Sequence, residues 1–188
     1  RQNPVAVDEH IEAPESSSIF GAYPKIQNDH DAAELICDTM RAASMNYDDP
    51  NQVEEVLDKR LEARRDHAMH TSHAVQVVAD ALPALGIVAA VLGIIKTMGA
   101  IDEPQEVLGK MIGGALTGTF LGVFLAYGFV GPIAGRMSAI VAEDDHFFQL
   151  IREVLIANMH AHPANICIEV GRQNTPHQFR PDFSDLEE

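Results

Sequence analysis

Between Met111 and Gly135 the chain runs for 25 residues without a charge, and between Ala81 and Ile95 for another 15. A helix needs roughly 20 apolar residues to cross a ~30 Å hydrocarbon layer. The longer run exceeds that length. The shorter one reaches it if Lys96 lies at the far interface and the helix continues through Ile101. A soluble core would spread its hydrophobicity along the chain, so this pattern excludes a simple cytosolic enzyme. It predicts an all-α fold: an integral membrane helical hairpin with a cytoplasmic helical domain. The balance of 13 Lys and Arg against 28 Asp and Glu, a formal charge of -15, repels phosphates and excludes nucleic acid as a partner. Cys37 and Cys167 are too few for a disulfide framework and fit a reducing compartment. With Arg1 in place of Met and no charged-then-apolar leader, the reading is that there is no signal peptide and that sequence before Arg1 is missing.

Residues 1–28 contain Pro4, Pro14 and Pro24 around a serine run, which predicts an irregular opening segment held down by Ile19, Phe20 and Tyr23. Leu35, Ile36 and Met40, preceded by Asn28 and Asp29 as caps, predict a short amphipathic helix over Asp31–Ala43. Asp49-Pro50 is a helix start: aspartate caps free amides and proline occupies the first position without losing a needed donor. Val53, Val56, Leu57 and Leu61 then form an apolar stripe on a helix expected to run almost unbroken into the first charge-free stretch. Residues 102–110 form a tight polar turn, so both ends of the hairpin lie on one side of the membrane. From Glu143 to Met159, Phe147, Leu150, Ile151, Val154, Leu155 and Met159 share a helical face. The tail beyond His162-Pro163 is expected to be short and partly extended. Arg64, Arg65, Arg136 and Arg152 outnumber Lys96 and Lys110, which puts the termini in the cytoplasm.

Glycines in the second span give four small-xxx-small pairs, 109/113, 114/118, 118/122 and 131/135, a spacing that lets helix backbones approach closely. The plainer reading is packing within the hairpin; so many glycines favour contacts with several helices, hence an oligomer. Neither charge-free stretch contains Asp, Glu or His, so the hairpin's interior lacks an ionisable relay. Thr97, Thr117, Thr119 and Tyr127 offer hydroxyls to a polar path whose titrating carboxylate belongs to another chain, although a membrane threonine most often bonds its own helix backbone. Pro83 and Pro132 are expected to kink the helices, with a hinge as the sharper reading. His67, His70 and His73 recur at intervals of three but lack a completing ligand, so they read as a solvated stretch, with no metal and no cofactor expected.

The stretch ADALPALGIVAAVLGIIKTMGAIDEPQEVLGKMIGGALTGTFLGVFLAYGFVGPIA, residues 79–134, resembles the last two membrane helices of the flagellar stator branch of the MotA/TolQ/ExbB family. HIEAPESSSIFGAYPKI resembles that branch's cytoplasmic loop, and EVGRQNTPHQFRPDFSDLEE its C-terminal tail. The LAYGF-x-x-P context separates it from the ExbB and TolQ branches. The resemblance implies a cytoplasmic loop domain at 1–78, the family's third span at 79–101, a periplasmic turn at 102–110, the fourth span at 111–135 and a cytoplasmic helix and tail at 136–188. The first two family helices would be absent. It further implies a subunit of an oligomeric, pentameric ring in the bacterial inner membrane. There a MotB-like partner supplies the ion-carrying aspartate, protons are the ion, and the ring turns the rotor protein FliG. On that analogy Thr119, with Thr117, lines the ion path; Pro83 and Pro132 couple ion binding to movement; and Arg1 and Asp8 meet the rotor. The alternatives are an ExbB/TolQ-like energiser of an envelope protein and a membrane scaffold without ion conduction.

Overall fold

The structure, a computed structural model, describes residues 4–44 and 49–183. Its regular elements are helical, with no strand among the described residues, in agreement with the all-α expectation. The chain divides into two compact units, Arg1–Arg64 with Glu143–Glu188, and Arg65–Ala142.

The first unit opens differently from the irregular segment that its prolines suggest. It contains α1 (Pro4–Glu12), a 3-10 turn (Pro14–Ser16), α2 (Ser18–Gly21) and α3 (Pro24–Gln27). The prolines begin these turns instead of breaking them, because the first helical position has no amide bond to lose. Ser17, buried, caps α2 by accepting the amides of Ile19 and Phe20 at 3.2 and 3.3 Å. Gln27 ties the segment back by donating to the carbonyls of Pro14 and Glu15 at 3.3 and 2.9 Å. Of the three expected apolar anchors, Ile19 and Tyr23 are 55% and 63% exposed, and Phe20 is half-buried.

Helix α4 (His30–Ser44) is capped by Asp29, whose Oδ1 accepts the Ala32 amide at 3.1 Å. Helix α5 (Pro50–Met98) starts as Asp49-Pro50 predicts, with Asp49 Oδ1 accepting the Asn51 amide at 3.0 Å. The core of this unit joins Ala32 and Leu35 of α4, Val53, Leu57 and Leu61 of α5, and Phe148, Ile151, Leu155 and Ile156 of α7 (Gly131–Met159). Four residues of the expected stripes lie outside it: Val56 and Phe147 are exposed, and Leu150 and Val154 half-buried, while Phe148 is buried to 1%. Phe147 and Phe148 each start an i, i+3 stripe; Phe148 is the one that joins the core, and the Arg64 guanidinium lies 3.5 Å over its ring. After Met159, Ala161 adopts φ 58° while the His162 amide reaches back to Ala157 O at 3.2 Å, a helix stop normally given to glycine. The tail then forms α8 (Ala164–Asn174) in place of the expected extension. Pro163 precedes it, and Gly171 sits where a Cβ would come 3.0 Å from Val154 Cγ2 of α7.

The second unit holds the rest of α5, α6 (Gln105–Leu125), a π-helical turn at Ala126–Val130 and the start of α7. Helix α5 passes through Pro83 without a break. The long helices on each side of the turn at 99–104 are apolar and long enough to cross a membrane.

Candidate functional site

In the second unit the buried residues are Ser72, Ala79, Gly86, Ala90, Thr97, Ala115, Gly122, Ala126 and Ala134, all small. Ser72, Ala79, Gly86 and Gly93 follow one another at seven-residue intervals along α5, the repeat that keeps one seam facing a partner helix. Where α5 and α6 meet at Gly86, Gly93 and Gly122, no added side chain fits. A Cβ at Gly122 would stand 2.6 Å from Leu82 O, one at Gly86 2.9 Å from Gly118 O, and one at Gly93 2.4 Å from Ala115 Cβ. Small residues admit this approach, so dispersion between backbones can replace the hydrophobic force that lipid does not supply. The glycine spacing of the second span does not reveal the α5 seam, whose signal is the heptad of small residues.

Six of the eight glycines between 109 and 135 fall into two sets. Gly118 and Gly122 face α5, as packing within the hairpin requires, whereas Gly109, Gly113, Gly114 and Gly135 have nothing within 4 Å of a notional Cβ. The second set leaves a bare backbone surface.

The threonines divide too. Thr117 is exposed and donates to Gly113 O of its own helix at 2.8 Å; Thr97 does the same to Gly93 O at 2.9 Å. Thr119, half-buried, instead donates across the hairpin to Gly86 O at 3.3 Å. Thr117 and Thr119 are therefore in different environments two residues apart. Tyr127 is 74% exposed. Pro83 withdraws the helical donor from the carbonyl of buried Ala79. Pro132 follows directly on the π turn, in which the Gly131 amide donates to Ala126 O, five residues back. Asp8 is exposed on α1, and Arg1 lies outside the described residues. His67, His70 and His73 are exposed along α5.

Two arginines counted as membrane-flanking are engaged in the first unit. Arg152, 7% exposed, places Nη2 2.7 Å from Glu54 Oε1 and Nε 2.6 Å from Asp58 Oδ1, and it also pairs with Glu153. Burial works against its charge, but Asp58 and Glu54 outweigh this and raise its pKa above the ordinary value. Arg64 pairs with Asp144 at 2.9 Å besides covering Phe148. On α8, hydrogen bonds from Arg172 and then Gln173 hold Glu169 at about 2, well below its ordinary 4.5. Cys37 is buried, and that burial raises its thiol pKa despite the opposing charge of Arg41.

A hairpin with small residues inside and large apolar residues outside defines a helical membrane subunit built for close backbone contact. The family model described as the MotA/TolQ/ExbB proton channel family matches residues 27–149. The chain belongs to this family, a family of channels and not of enzymes, and it is an inner-membrane protein. It is 34% identical to Motility protein A of Escherichia coli over 97% of this chain and 62% of that protein. It is 36% identical to Chemotaxis protein LafT of Vibrio parahaemolyticus over 96% of this chain and 64% of that protein. The chain thus spans less than two thirds of these relatives' length. In fold it is similar to the C. jejuni MotAB structure, with a TM-score of 0.71 and 18% identity over 96% of this chain and 69% of that one. For the flagellar MotAB stator complex of Bacillus subtilis the TM-score is 0.62, with 19% identity over 81% and 57%.

Proposed function

We propose that this chain is the larger part of a flagellar stator subunit that, with a MotB-like partner, passes protons and converts their flow into torque on the rotor. The observation that carries this reading is the hairpin itself. It is a tightly closed seam with one hydroxyl, Thr119, bridging the two helices, and no Asp, Glu or His in either charge-free stretch. Such a unit cannot relay a proton alone and requires a carboxylate from another chain. The names of the relatives, Motility protein A and Chemotaxis protein LafT, agree with this role.

In this reading residues 79–101 and 111–135 span the membrane, 102–110 are periplasmic, and 1–78 and 136–188 are cytoplasmic. Thr119 is the ion-path hydroxyl, with Thr117 adjacent. Pro83 and Pro132 couple ion binding to movement, Arg1 and Asp8 face FliG, and the bare glycine face of α6 meets neighbouring helices of a pentameric ring. At ~2.3 kcal/mol per charge per 100 mV, each ion supplies only a few kcal/mol, enough to bias a bistable ring by one step.

Deletion of the gene tests the assignment. Loss of swimming with flagella still assembled is the expected result. Normal motility with envelope or uptake defects would transfer the chain to an ExbB/TolQ-like role, and neither phenotype would reduce it to a scaffold.

A further inference from the structure

The π turn at Ala126–Val130 is the one interruption in the helix that runs from Gln105 to Met159. A π turn holds one residue more than the α-helix it replaces and normally costs a backbone bond, so its persistence needs a cause. Three local features supply one. Pro132 has no amide to give: in α register the carbonyl it fails is that of Gly128, and in π register that of Tyr127. One bond is lost in either register, and the usual penalty of the π turn is already incurred. Gly131 is the second feature, because in π register a Cβ there would stand 2.9 Å from Ala126 O. The third is aromatic. Phe124 meets Phe129 edge to face with ring centroids 5.4 Å apart, and Phe124 also stacks on Phe120 at 5.7 Å. In an uninterrupted α-helix, residues five apart point about 140° away from each other, so the Phe124–Phe129 contact exists only because the turn is π.

We propose that this turn is a register switch: the extra residue is slack that the helix takes up or releases when the charge against α6 changes. Release would turn the segment beyond Gly131 by about 100° about its own axis and lengthen the helix by about 1.5 Å. The seam at Gly86, Gly118 and Gly122, which lies before the turn, keeps its packing throughout. Phe124–Phe129 latches the π register, and Gly128, a weak helix former whose notional Cβ meets only the Phe124 ring at 3.7 Å, lowers the resistance to change. The trigger and the consequence for torque rest on the stator reading, which supplies the partner's aspartate; the geometry of the turn does not.

Deleting Gly128 tests it. The Gly131 amide then reaches Ala126 O across four residues instead of five, an ordinary α-helical bond, and the helix beyond keeps its direction. The full-length subunit, assembled with its partner in lipid nanodiscs, would carry spin labels at Leu121→Cys and Ile133→Cys, both exposed positions, diluted among unlabelled subunits. Cys37 and Cys167 are buried, and any other cysteine of the complex would be replaced by serine. With the partner's aspartate intact or replaced by asparagine, the natural turn should give two label distances differing on the order of 5 Å, and the deletion only one. Rotation in cells should fall about tenfold or more with the deletion, insertion and assembly being retained. Identical distances for the natural turn with both partners would overturn the switch, as would normal rotation after the deletion. A deletion protein that no longer inserts or assembles would overturn it too, by making the fifth residue a folding requirement. Two distances in a protein whose loss leaves swimming intact would uphold the switch and refute the stator reading.

Discussion

The two units bury opposite kinds of residue. In the first, the interior is large and apolar: Phe148, Leu35, Leu57 and Leu61 are each no more than 3% exposed. In the second, the interior is alanine, glycine, serine and threonine, while Leu85, Leu92, Ile95 and Phe120 are more than 60% exposed. Water explains the first arrangement, since removing apolar area from it contributes roughly 25 cal/mol per Å². The second makes sense only where the surroundings are as apolar as leucine, so that burying a large side chain gains nothing and close backbone contact gains dispersion. Along one continuous α5, therefore, the meaning of a buried position changes from hydrophobic to small.

The largest effect should come from reversing the rule in the seam. Gly122→Val would drive a branched side chain into Leu82 O, a backbone atom that cannot swing aside, at a cost of about 3 kcal/mol or more. We expect loss of swimming and of co-purification with the partner subunit, whereas Gly114→Ala, with open space around it, leaves hairpin formation unchanged. If Gly122→Val assembled like wild type, the small-inside rule would be broken for this unit. The reciprocal change is Phe148→Ala in the first unit, which empties a fully buried site and strips Arg64 of its cation–π partner. It should destabilise by about 3–5 kcal/mol, read as protease sensitivity of the first unit with membrane insertion unaffected.

Legibility followed the same division. The charge-free stretches, the Asp49-Pro50 start and the amphipathic α4 were plain in the sequence because each rests on local chemistry: absence of charge, a cap, a period. What escaped notice depends on distant partners. Val56 and Phe147 fit their stripes, yet the stripe is about 100° wide and only the packed neighbour decides its edge. Pro4, Pro14 and Pro24 suggest breaks because proline ends helices and also begins them, and the sequence alone does not say which. The seam on α5 was visible as small residues at seven-residue intervals but lay hidden among valines and isoleucines. For Thr117 and Thr119 nothing local distinguishes the two hydroxyls; only the approach of Gly86 does.

A smaller effect sharpens the seam from within. Thr119→Val keeps the shape and removes a hydrogen bond to Gly86 O worth about 1 kcal/mol, so assembly should survive. If the hydroxyl also serves the ion path, Val should slow rotation more than Thr119→Ser, which keeps the hydroxyl and loses a methyl. Swimming speed and proton flux at matched expression decide this, and a Val variant equal to wild type removes Thr119 from the path.

The smallest effect belongs to the water-facing surface of the first unit, where charge can act because nothing apolar surrounds it. Glu169, held at about 2 by Arg172 and Gln173, is depressed in the folded chain relative to its ordinary 4.5. A depressed carboxyl contributes stability that is fully present above the unfolded pKa and is lost as pH falls toward the folded one. Amide protection of α8 should therefore be constant above about pH 5 and decline from there toward pH 2. Because the pair is solvent-screened, the decline should be shallow. Glu169→Gln, which cannot ionise, should begin with lower protection at neutral pH and lose the part of the slope that Glu169 contributes. Hydrogen exchange on residues 164–174 at several pH values checks this: an unchanged slope in Glu169→Gln would assign the acid sensitivity of α8 to other groups.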